Sequence, residues 1–203
     1  MQLYFIRHGA TKGNQEKRYV GSTDEQLTEA AVLQMEAYRL EHSRQFAGID
    51  VVVVSPMKRC VQTAEILFPE KKQIVVEDLR ECDFGEFEYR NFRELDGNPE
   101  YQRFIDSMGM SGFPGGEDRK RFQERCVRGF ERIMPELVGH TEAAFVVHGG
   151  TIMALFDQCS EPHGDYYDWQ IGPGEGFVTE GIPMNEASGG GSAGWKFMDV
   201  RTL

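Results

Sequence analysis

The residue types best suited to chemistry in this sequence are two histidines and two arginines. Arg7 and His8 stand next to each other, His148 precedes two glycines, and Arg59 follows a Ser-Pro pair. Arginine binds phosphate oxygens through two parallel hydrogen bonds and stays charged at any accessible pH. A histidine beside such arginines is either a nucleophile towards phosphorus or a proton shuttle. The four side chains therefore suit phosphoryl transfer, provided that the fold brings them together.

The elements that must position these side chains are indicated by short apolar runs. These runs predict strands buried on both faces, as in a parallel sheet, at residues 3–6, 51–54, 74–76 and 143–147. Helical patterns lie between or after them, at residues 28–46, 56–67, 118–138 and 151–159. Ser55 is the expected N-cap of the second helix, and Pro135 a kink late in the third. The alternation predicts an α/β fold, a three-layer α/β/α sandwich with a mostly parallel central sheet.

Two segments do not fit this alternation. Residues 84–116 contain no clear strand and are predicted to form a small helical cap insertion. Residues 187–194 (ASGGGSAG) are of low complexity, and we expect a mobile loop there between two late strands. No repeat or compositional break divides the chain, so residues 1–203 are predicted to be one domain.

The predicted strand ends bring the histidines and arginines to one place. In a parallel α/β sheet, ligands bind in the crevice beyond the carboxyl ends of the strands. Arg7 and His8 follow the first predicted strand, Arg59 lies just after the second, and His148 follows the last. The helices that begin there add oriented N–H groups, which favour a bound anion. The sequence therefore predicts an anion site at this rim.

Composition and charge exclude several partners. Apolar residues make up 40% of the 203 positions, and 33 acidic against 22 basic residues give a net charge of −11. Such a balance argues against a nucleic-acid or anionic-membrane surface. The four cysteines contain no CxxC pair, and no zinc-ligand spacing is present, so we expect reduced thiols and no metal site. No signal peptide or membrane span is evident, and a cytoplasmic location is expected.

Four motifs, in the same order along the chain, resemble those of the histidine phosphatase superfamily, also called phosphoglycerate mutase-like. Residues 7–14 match its RHGxTxxN motif, and residues 55–64 match its SPxxRxxQTA motif. Residues 79–85 match its LxExxxG motif, and residues 147–150 match its second-histidine motif. Each motif alone is weak, but together they cover most of the chain. The resemblance implies the phosphoglycerate mutase-like fold predicted above.

The resemblance also implies a catalytic role for several matched positions. His8 would attack phosphorus and form a phosphohistidine that water then hydrolyses. Glu81 would protonate the leaving oxygen and later deprotonate the attacking water, for which burial must raise its pKa. Asp83 and Glu86 are rival acids, and Glu81 is preferred because it matches the motif.

The remaining matched positions are implied to bind the phosphoryl group or the rest of the substrate. The phosphoryl oxygens would be held by Arg7, Arg59 and His148, and further substrate contacts are expected from Thr11, Asn14, Gly21, Tyr89 and Gly149. No cofactor is implied, and the expected partner is a small-molecule phosphate ester. The oligomeric state is not predicted.

Within the family, the chain most resembles the α-ribazole phosphatase branch, through residues 19–28, 83–88 and 113–117. This implies a metal-independent phosphomonoesterase with α-ribazole 5′-phosphate, a precursor in cobalamin assembly, as its candidate substrate. The alternatives are a broad-specificity phosphatase, a phosphoglycerate mutase, and a catalytically inactive phosphate-binding domain. Tyr89 replaces the glycine of that branch and is expected either to stack on a base or to exclude a large substrate.

Several residues near the motifs have a simpler interpretation. The basic run Arg119-Lys120-Arg121 is predicted to be a solvated helix face, and His42, His140 and His163 to be ordinary histidines. Aromatic residues from Phe84 to Tyr101 are either the core of the cap or a wall over the leaving group. Tyr166, Tyr167 and Trp169 are further candidates for that wall, but no motif supports them.

Overall fold

A seven-stranded sheet runs through the computed structural model, which describes residues 1–184 and 194–203. Its strands in chain order are β1 (Gln2–Arg7), β2 (Val51–Val54), β3 (Lys72–Val75), β4 (Glu142–Val147), β5 (Ser160–Glu161), β6 (Gly176–Pro183) and β7 (Trp195–Thr202). Across the sheet they are ordered β3-β2-β4-β1-β6-β7-β5. Every neighbouring pair is parallel except the two that involve β6. The predicted, mostly parallel sheet is confirmed.

The helices cover both faces of the sheet. They are α1 (Lys12–Gln15), α2 (Glu29–Glu41), α3 (Lys58–Leu67), α4 (Pro99–Asp106), α5 (Arg119–Ile133) and α6 (Gly149–Cys159). Short 3₁₀ turns lie at Glu77–Leu79, Gly85–Phe87, Met134–Leu137 and Tyr166–Trp169. Among the described residues, none of these helices has the length and apolar character to cross a bilayer.

The central strands contribute side chains to two separate hydrophobic cores, because successive side chains of a strand point to opposite faces of the sheet. In β1, Leu3 and Phe5 pack with the α5 and α6 layer, whereas Tyr4 and Ile6 pack with the α2 and α3 layer. All four valines of β2 are fully buried. Both faces are thus apolar, which is why these strands read as continuous apolar runs.

Most predicted boundaries are close to those observed, and one prediction is wrong. The second helix begins at Lys58, and Ser55 is not its N-cap. Instead, the Lys58 N–H donates to the Asp24 carboxylate at 2.7 Å, so a distant side chain caps this helix. Pro135, where a kink was predicted, is the second residue of the 3₁₀ turn that follows the end of α5. The loop predicted at 187–194 lies, apart from Gly194, outside the described residues.

The predicted cap contains helix α4 and a 3₁₀ turn joined by irregular backbone. Its core is aromatic: Phe87 is fully buried, and the Phe104 and Phe113 ring centroids lie 4.6 Å apart. Phe113 also packs edge-on against Phe84 at 4.9 Å. These rings hold the two ends of the cap together.

Two backbone segments of the cap approach each other so closely that only glycine fits. Gly85 has a φ of +51°, and a Cβ there would lie 2.1 Å from the Pro114 carbonyl oxygen. The Glu86 N–H donates to the same carbonyl at 2.8 Å. This contact ties the start of the cap to the turn that leads into α5.

We predict that Gly85→Ala destabilises the protein more than Gly97→Ala. Both residues have positive φ values, but a Cβ at Gly97 would meet nothing within 4 Å. Gly97→Ala should therefore cost only the conformational term, about 1–2 kcal/mol. Gly85→Ala must in addition displace the backbone at Pro114, which should lower the free energy of unfolding further. Urea unfolding of both variants tests this, and equal losses would contradict the crowding argument.

Candidate active site

A cavity of about 340 Å³ opens beyond the carboxyl ends of β1 and β4. Among the predicted site residues, it is lined by Arg7, His8, Asn14, Glu81 and Gly149. His148 and Arg59 do not line it; both are fully buried behind His8. The His8 and His148 rings are 5.2 Å apart, centroid to centroid. The structure therefore brings all five predicted catalytic residues to one rim, with two of them beneath its surface.

His8 is held in one tautomer by the backbone. Its Nδ1 lies 2.7 Å from the Gly9 carbonyl oxygen, which can only accept, so Nδ1 carries the proton. Nε2 therefore keeps its lone pair. Burial and the nearby Arg59 and Arg7 cations hold the pKa of His8 well below its usual value. The Gly9 N–H in turn donates to the Thr63 hydroxyl at 3.0 Å, a contact that sequence reasoning missed.

His148 is also neutral and is held from both sides. Arg59 Nε donates to His148 Nδ1 at 3.3 Å, so the proton lies on Nε2. Nε2 donates to the Ser55 hydroxyl at 2.7 Å. Burial, then the neighbouring charges, lowers the pKa of His148 well below its usual value. Ser55 is thus a positioning residue for this histidine, which explains why it does not cap α3.

The Arg59 guanidinium is bound mainly to backbone carbonyls. Its Nη2 donates to the Gly21 carbonyl at 2.9 Å and its Nη1 to the Thr23 carbonyl at 2.8 Å. The side chain therefore connects the segment after α1 to His148. A phosphoryl oxygen that reaches Arg59 must share or replace one of these bonds.

Gly21 lies at this connection, outside the cavity. A Cβ at Gly21 would lie 2.1 Å from the Cys82 carbonyl oxygen, so the position requires glycine. Its N–H donates to the Glu88 carboxylate at 3.0 Å, and Glu88 also accepts from the Thr23 hydroxyl at 2.6 Å. Glu88, which sequence reasoning did not single out, fixes the backbone that receives Arg59.

Arg7 crosses the floor of the cavity over the first turn of α6. Its Nη1 donates to the Ile171 carbonyl at 2.6 Å, and its guanidinium carbon would be 3.3 Å from a Cβ at Gly149. Arg7 Nε is buried and has no hydrogen-bond partner among the described residues. An unpaired buried donor beside the N-terminus of α6 is suited to an incoming anion.

Glu81 faces the same helix start from the opposite wall. Its carboxylate accepts from the N–H groups of Gly150 at 3.1 Å and Cys82 at 2.9 Å. Burial raises the pKa of Glu81, although these N–H groups and the Arg59 and Arg7 cations oppose the shift. A Cβ at Gly150 would lie 2.2 Å from Oε1, so this glycine is what lets the carboxyl group reach the helix start.

An ion pair holds the backbone that carries Glu81. Arg125 on α5 binds Glu117 at 2.6 and 2.8 Å and donates to the Glu81 carbonyl oxygen at 3.1 Å. Glu117 accepts in turn from the Asp83 N–H at 3.0 Å. Neither Arg125 nor this use of Glu117 was predicted, because both act on backbone that is distant in sequence.

Thr11 and Asn14 form a cap at the start of α1. Asn14 Oδ1 accepts from the Thr11 N–H at 3.0 Å and from its hydroxyl at 3.1 Å. Thr11 is fully buried and does not line the cavity. Asn14 does line it, and because its Oδ1 is occupied, its Nδ2 amide is the group it offers to a ligand.

Tyr89 does not line the cavity. Its hydroxyl donates to Glu25 at 2.7 Å, and Arg18 lies over its ring at 5.1 Å. Its φ of +58° is the left-handed conformation, which explains why glycine suits this position. The structure therefore places Tyr89 outside the cavity, away from the position that either expected role, stacking on a base or excluding a large substrate, would need.

Much of the remaining cavity wall is aromatic. Phe84, Phe104 and Phe113 from the cap line the cavity together with Tyr166 and Tyr167. The cap aromatics thus serve both as core and as wall, the two alternatives that the sequence left open. Further polar lining residues that the sequence did not identify are Arg18, Arg119 and Gln170.

Arg119 corrects the prediction of a solvated basic run. Lys120 and Arg121 are exposed, but the Arg119 guanidinium lies 3.9 Å from the centroid of the Tyr166 ring. The side chain turns from the first residue of α5 back towards the cavity, which no sequence pattern indicated.

The cysteines and possible metal ligands add no further site. All four cysteines are buried and unpaired, and burial raises the pKa of the Cys60 thiol to about 12. Within residues 1–184 and 194–203 there is no group of three or more His, Cys, Asp or Glu side chains placed to hold a metal ion.

Comparison with known proteins agrees with this geometry. The model of the histidine phosphatase superfamily (branch 1) matches residues 3–175. The “Probable phosphoglycerate mutase GpmB” of Proteus mirabilis is 31% identical over 153 residues, which are 73% of this chain and 70% of that protein. Two solved structures extend the comparison.

The α-ribazole phosphatase of Shigella flexneri superposes with a TM-score of 0.77 at 22% identity, over 92% of both chains. At that identity the likeness concerns the fold. A phosphoglycerate mutase of Thermus thermophilus superposes with a TM-score of 0.65 at 27% identity, over 89% of this chain and 93% of that one. The family match spans every residue that forms the cavity floor. The chain therefore belongs to the histidine phosphatase superfamily (branch 1) and is an enzyme of the histidine phosphatase type.

Proposed function

We propose that this enzyme is a metal-independent phosphomonoesterase that hydrolyses a small-molecule phosphate ester through a phosphohistidine. The observation that carries the proposal is the state of His8, a neutral imidazole at the cavity floor with its Nε2 lone pair free. Such a group is a nucleophile without further activation.

In the first step, Nε2 of His8 attacks phosphorus in line with the leaving oxygen. The N–P bond forms as the P–O bond to the leaving group breaks. Arg7 and the Gly149 N–H would neutralise charge on the equatorial oxygens, since both lie at the start of α6 beside His8. The positive charge of Arg59 would act on the same oxygens from beneath the floor, and His148, bonded to Arg59 and Ser55, would hold Arg59 in place.

Glu81 is the proposed acid for the leaving oxygen. Its raised pKa favours the protonated form that this role needs. After the leaving group departs, the Glu81 carboxylate takes a proton from water, which attacks phosphorus. The N–P bond breaks, inorganic phosphate is released, and His8 regains its lone pair.

The proposed substrate is a monoester whose leaving group meets the aromatic wall. α-Ribazole 5′-phosphate suits this wall because its base offers a planar face to Phe84 and Phe113. Since Tyr89 lies outside the cavity, it does not close the site to such a base. A cytoplasmic location fits an enzyme with four reduced thiols.

A phosphoglycerate mutase is the second candidate, favoured by the name of the Proteus mirabilis relative. It would use the same phosphohistidine but return the phosphoryl group to a hydroxyl of the substrate. The two activities share His8 as the nucleophile and differ in the group that accepts the phosphoryl group, which is water in a phosphatase and a substrate hydroxyl in a mutase.

We predict that His8→Ala abolishes turnover, with a loss in kcat of at least about 10³-fold. Vanadate should still bind, because Arg7 and the α6 N-terminus remain. Acid quench of the wild type with ³²P-labelled substrate should trap an acid-labile phosphoprotein that His8→Ala lacks. His163→Ala, which alters an exposed histidine, is the matched control. An active His8→Ala protein would overturn the nucleophile assignment.

We predict that Glu81 controls the alkaline side of the pH profile. As pH rises through its raised pKa, the acid is lost and kcat/KM for an alkyl phosphate should fall. Glu81→Gln should lower kcat/KM by about 10²–10⁴-fold and remove that fall. Because both proteins are assayed with the same substrate, ionisation of the substrate phosphate affects both pH profiles equally. An unchanged pH profile in the variant would contradict the assignment.

We predict phosphate release in EDTA from α-ribazole 5′-phosphate, measured beside sugar phosphates, nucleotides and 3-phosphoglycerate. A preference in kcat/KM for α-ribazole 5′-phosphate supports that substrate, whereas uniform slow hydrolysis indicates a general phosphatase. Conversion of 3-phosphoglycerate to its isomer in the presence of 2,3-bisphosphoglycerate, without phosphate release, would instead establish the mutase.

A further inference from the structure

Arg119 is a cation of the cavity that the proposed phosphoryl chemistry does not use. It lines the same cavity as His8 and Glu81, together with the aromatic residues of the wall. Its guanidinium lies over the Tyr166 ring at 3.9 Å and near the Tyr167 ring at 5.0 Å. These contacts hold it against the wall.

The charge of Arg119 is not neutralised by a carboxylate within the described part of the chain. Its neighbours on α5 have such partners, since Lys120 pairs with Glu124 and Arg121 with Asp118. The Nη1 group of Arg119 contacts only a weak acceptor, the Met110 sulfur at 3.4 Å. Its Nη2 is buried and has no hydrogen-bond partner among residues 1–184 and 194–203.

Arg18, which also lines the cavity, is different. It binds Glu94 at 2.7 Å, contacts Glu16 and donates to the Tyr89 carbonyl at 2.6 Å. Its charge and its donors are therefore occupied by the protein. A buried guanidinium donor without a partner is costly, so the state of Arg119 indicates a missing acceptor in the cavity.

We propose that Arg119 binds a second anionic group, a carboxylate or a second phosphate, on the leaving group of the substrate. This inference rests on the proposed function and extends its substrates to phosphate monoesters that carry such a group. A guanidinium stacked on two tyrosines is pre-oriented for a bidentate contact with an oxyanion. α-Ribazole 5′-phosphate has no second anionic group, so its turnover should not depend on Arg119.

The test compares phenyl phosphate with 3-carboxyphenyl and 4-carboxyphenyl phosphate, whose rings are alike and differ in the second charge. Two isomers are used so that one misplaced carboxylate does not decide the outcome. The variants are Arg119→Met and, as control, Arg128→Met, which removes an exposed cation from the same helix. Arg119→Gln is a second variant in case the first does not fold.

The wild type should have the higher kcat/KM for at least one carboxylated isomer. Arg119→Met should reduce that value by about 10–100-fold, the effect of one charged hydrogen-bonded contact. It should change kcat/KM for phenyl phosphate less than about threefold, and Arg128→Met should leave all three values near those of the wild type.

Two results would overturn the inference. One is a wild type with no preference for either carboxylated isomer. The other is an equal loss on all three substrates in the Arg119 variants, which would show that Arg119 only supports the wall. Absence of His8-dependent hydrolysis of phenyl phosphate in the wild type is a separate result, which would contradict the proposed function itself.

Discussion

The organisation of the site depends on one buried guanidinium. Arg59 has no exposed surface, and a charge in that position is tolerated only when its donors are hydrogen-bonded. Its bonds to the carbonyls of Gly21 and Thr23 fix the segment after α1, and its bond to His148 fixes the proton on that ring. Three segments that are distant in sequence thus become one rigid floor beneath His8.

Close packing against the backbone is the second constraint, and it explains glycines at two positions. Gly21 lets the Arg59-bound segment touch the Cys82 carbonyl, and Gly150 lets the Glu81 carboxyl group reach the start of α6. A Cβ at either position would overlap these atoms and push the floor and the acid apart. The glycines therefore allow the Arg59-bound segment to pack against Cys82 and the proposed acid to pack against the start of α6.

Strands β1 to β4, the fold class and the two histidines and two arginines at the rim could be predicted from local pattern, whereas Glu81 was indicated only by the family motif. Apolar runs mark β1, β2 and β4, and parallel strands must end at the same edge. The cap of α3 could not be predicted, since Asp24 supplies it from a separate segment. Arg125 and Glu88 were missed for the same reason, and Arg119 because a basic run is ordinarily solvated. The position of Tyr89 outside the cavity could not be predicted, because its contacts with Glu25 and Arg18 come from tertiary packing.

The protonation states that the proposed chemistry needs follow from burial rather than from charge alone. The Arg7 and Arg59 cations favour a neutral His8, but the same cations favour an ionised Glu81. Only desolvation acts in the useful direction on both, because it disfavours the imidazolium and the carboxylate alike. The aromatic cap over the cavity is therefore more than a binding wall. Its rings line the same cavity as Glu81 and would help to limit water there. Any change that hydrates this carboxyl group should lower its pKa and deplete the protonated form, while His8 keeps its lone pair.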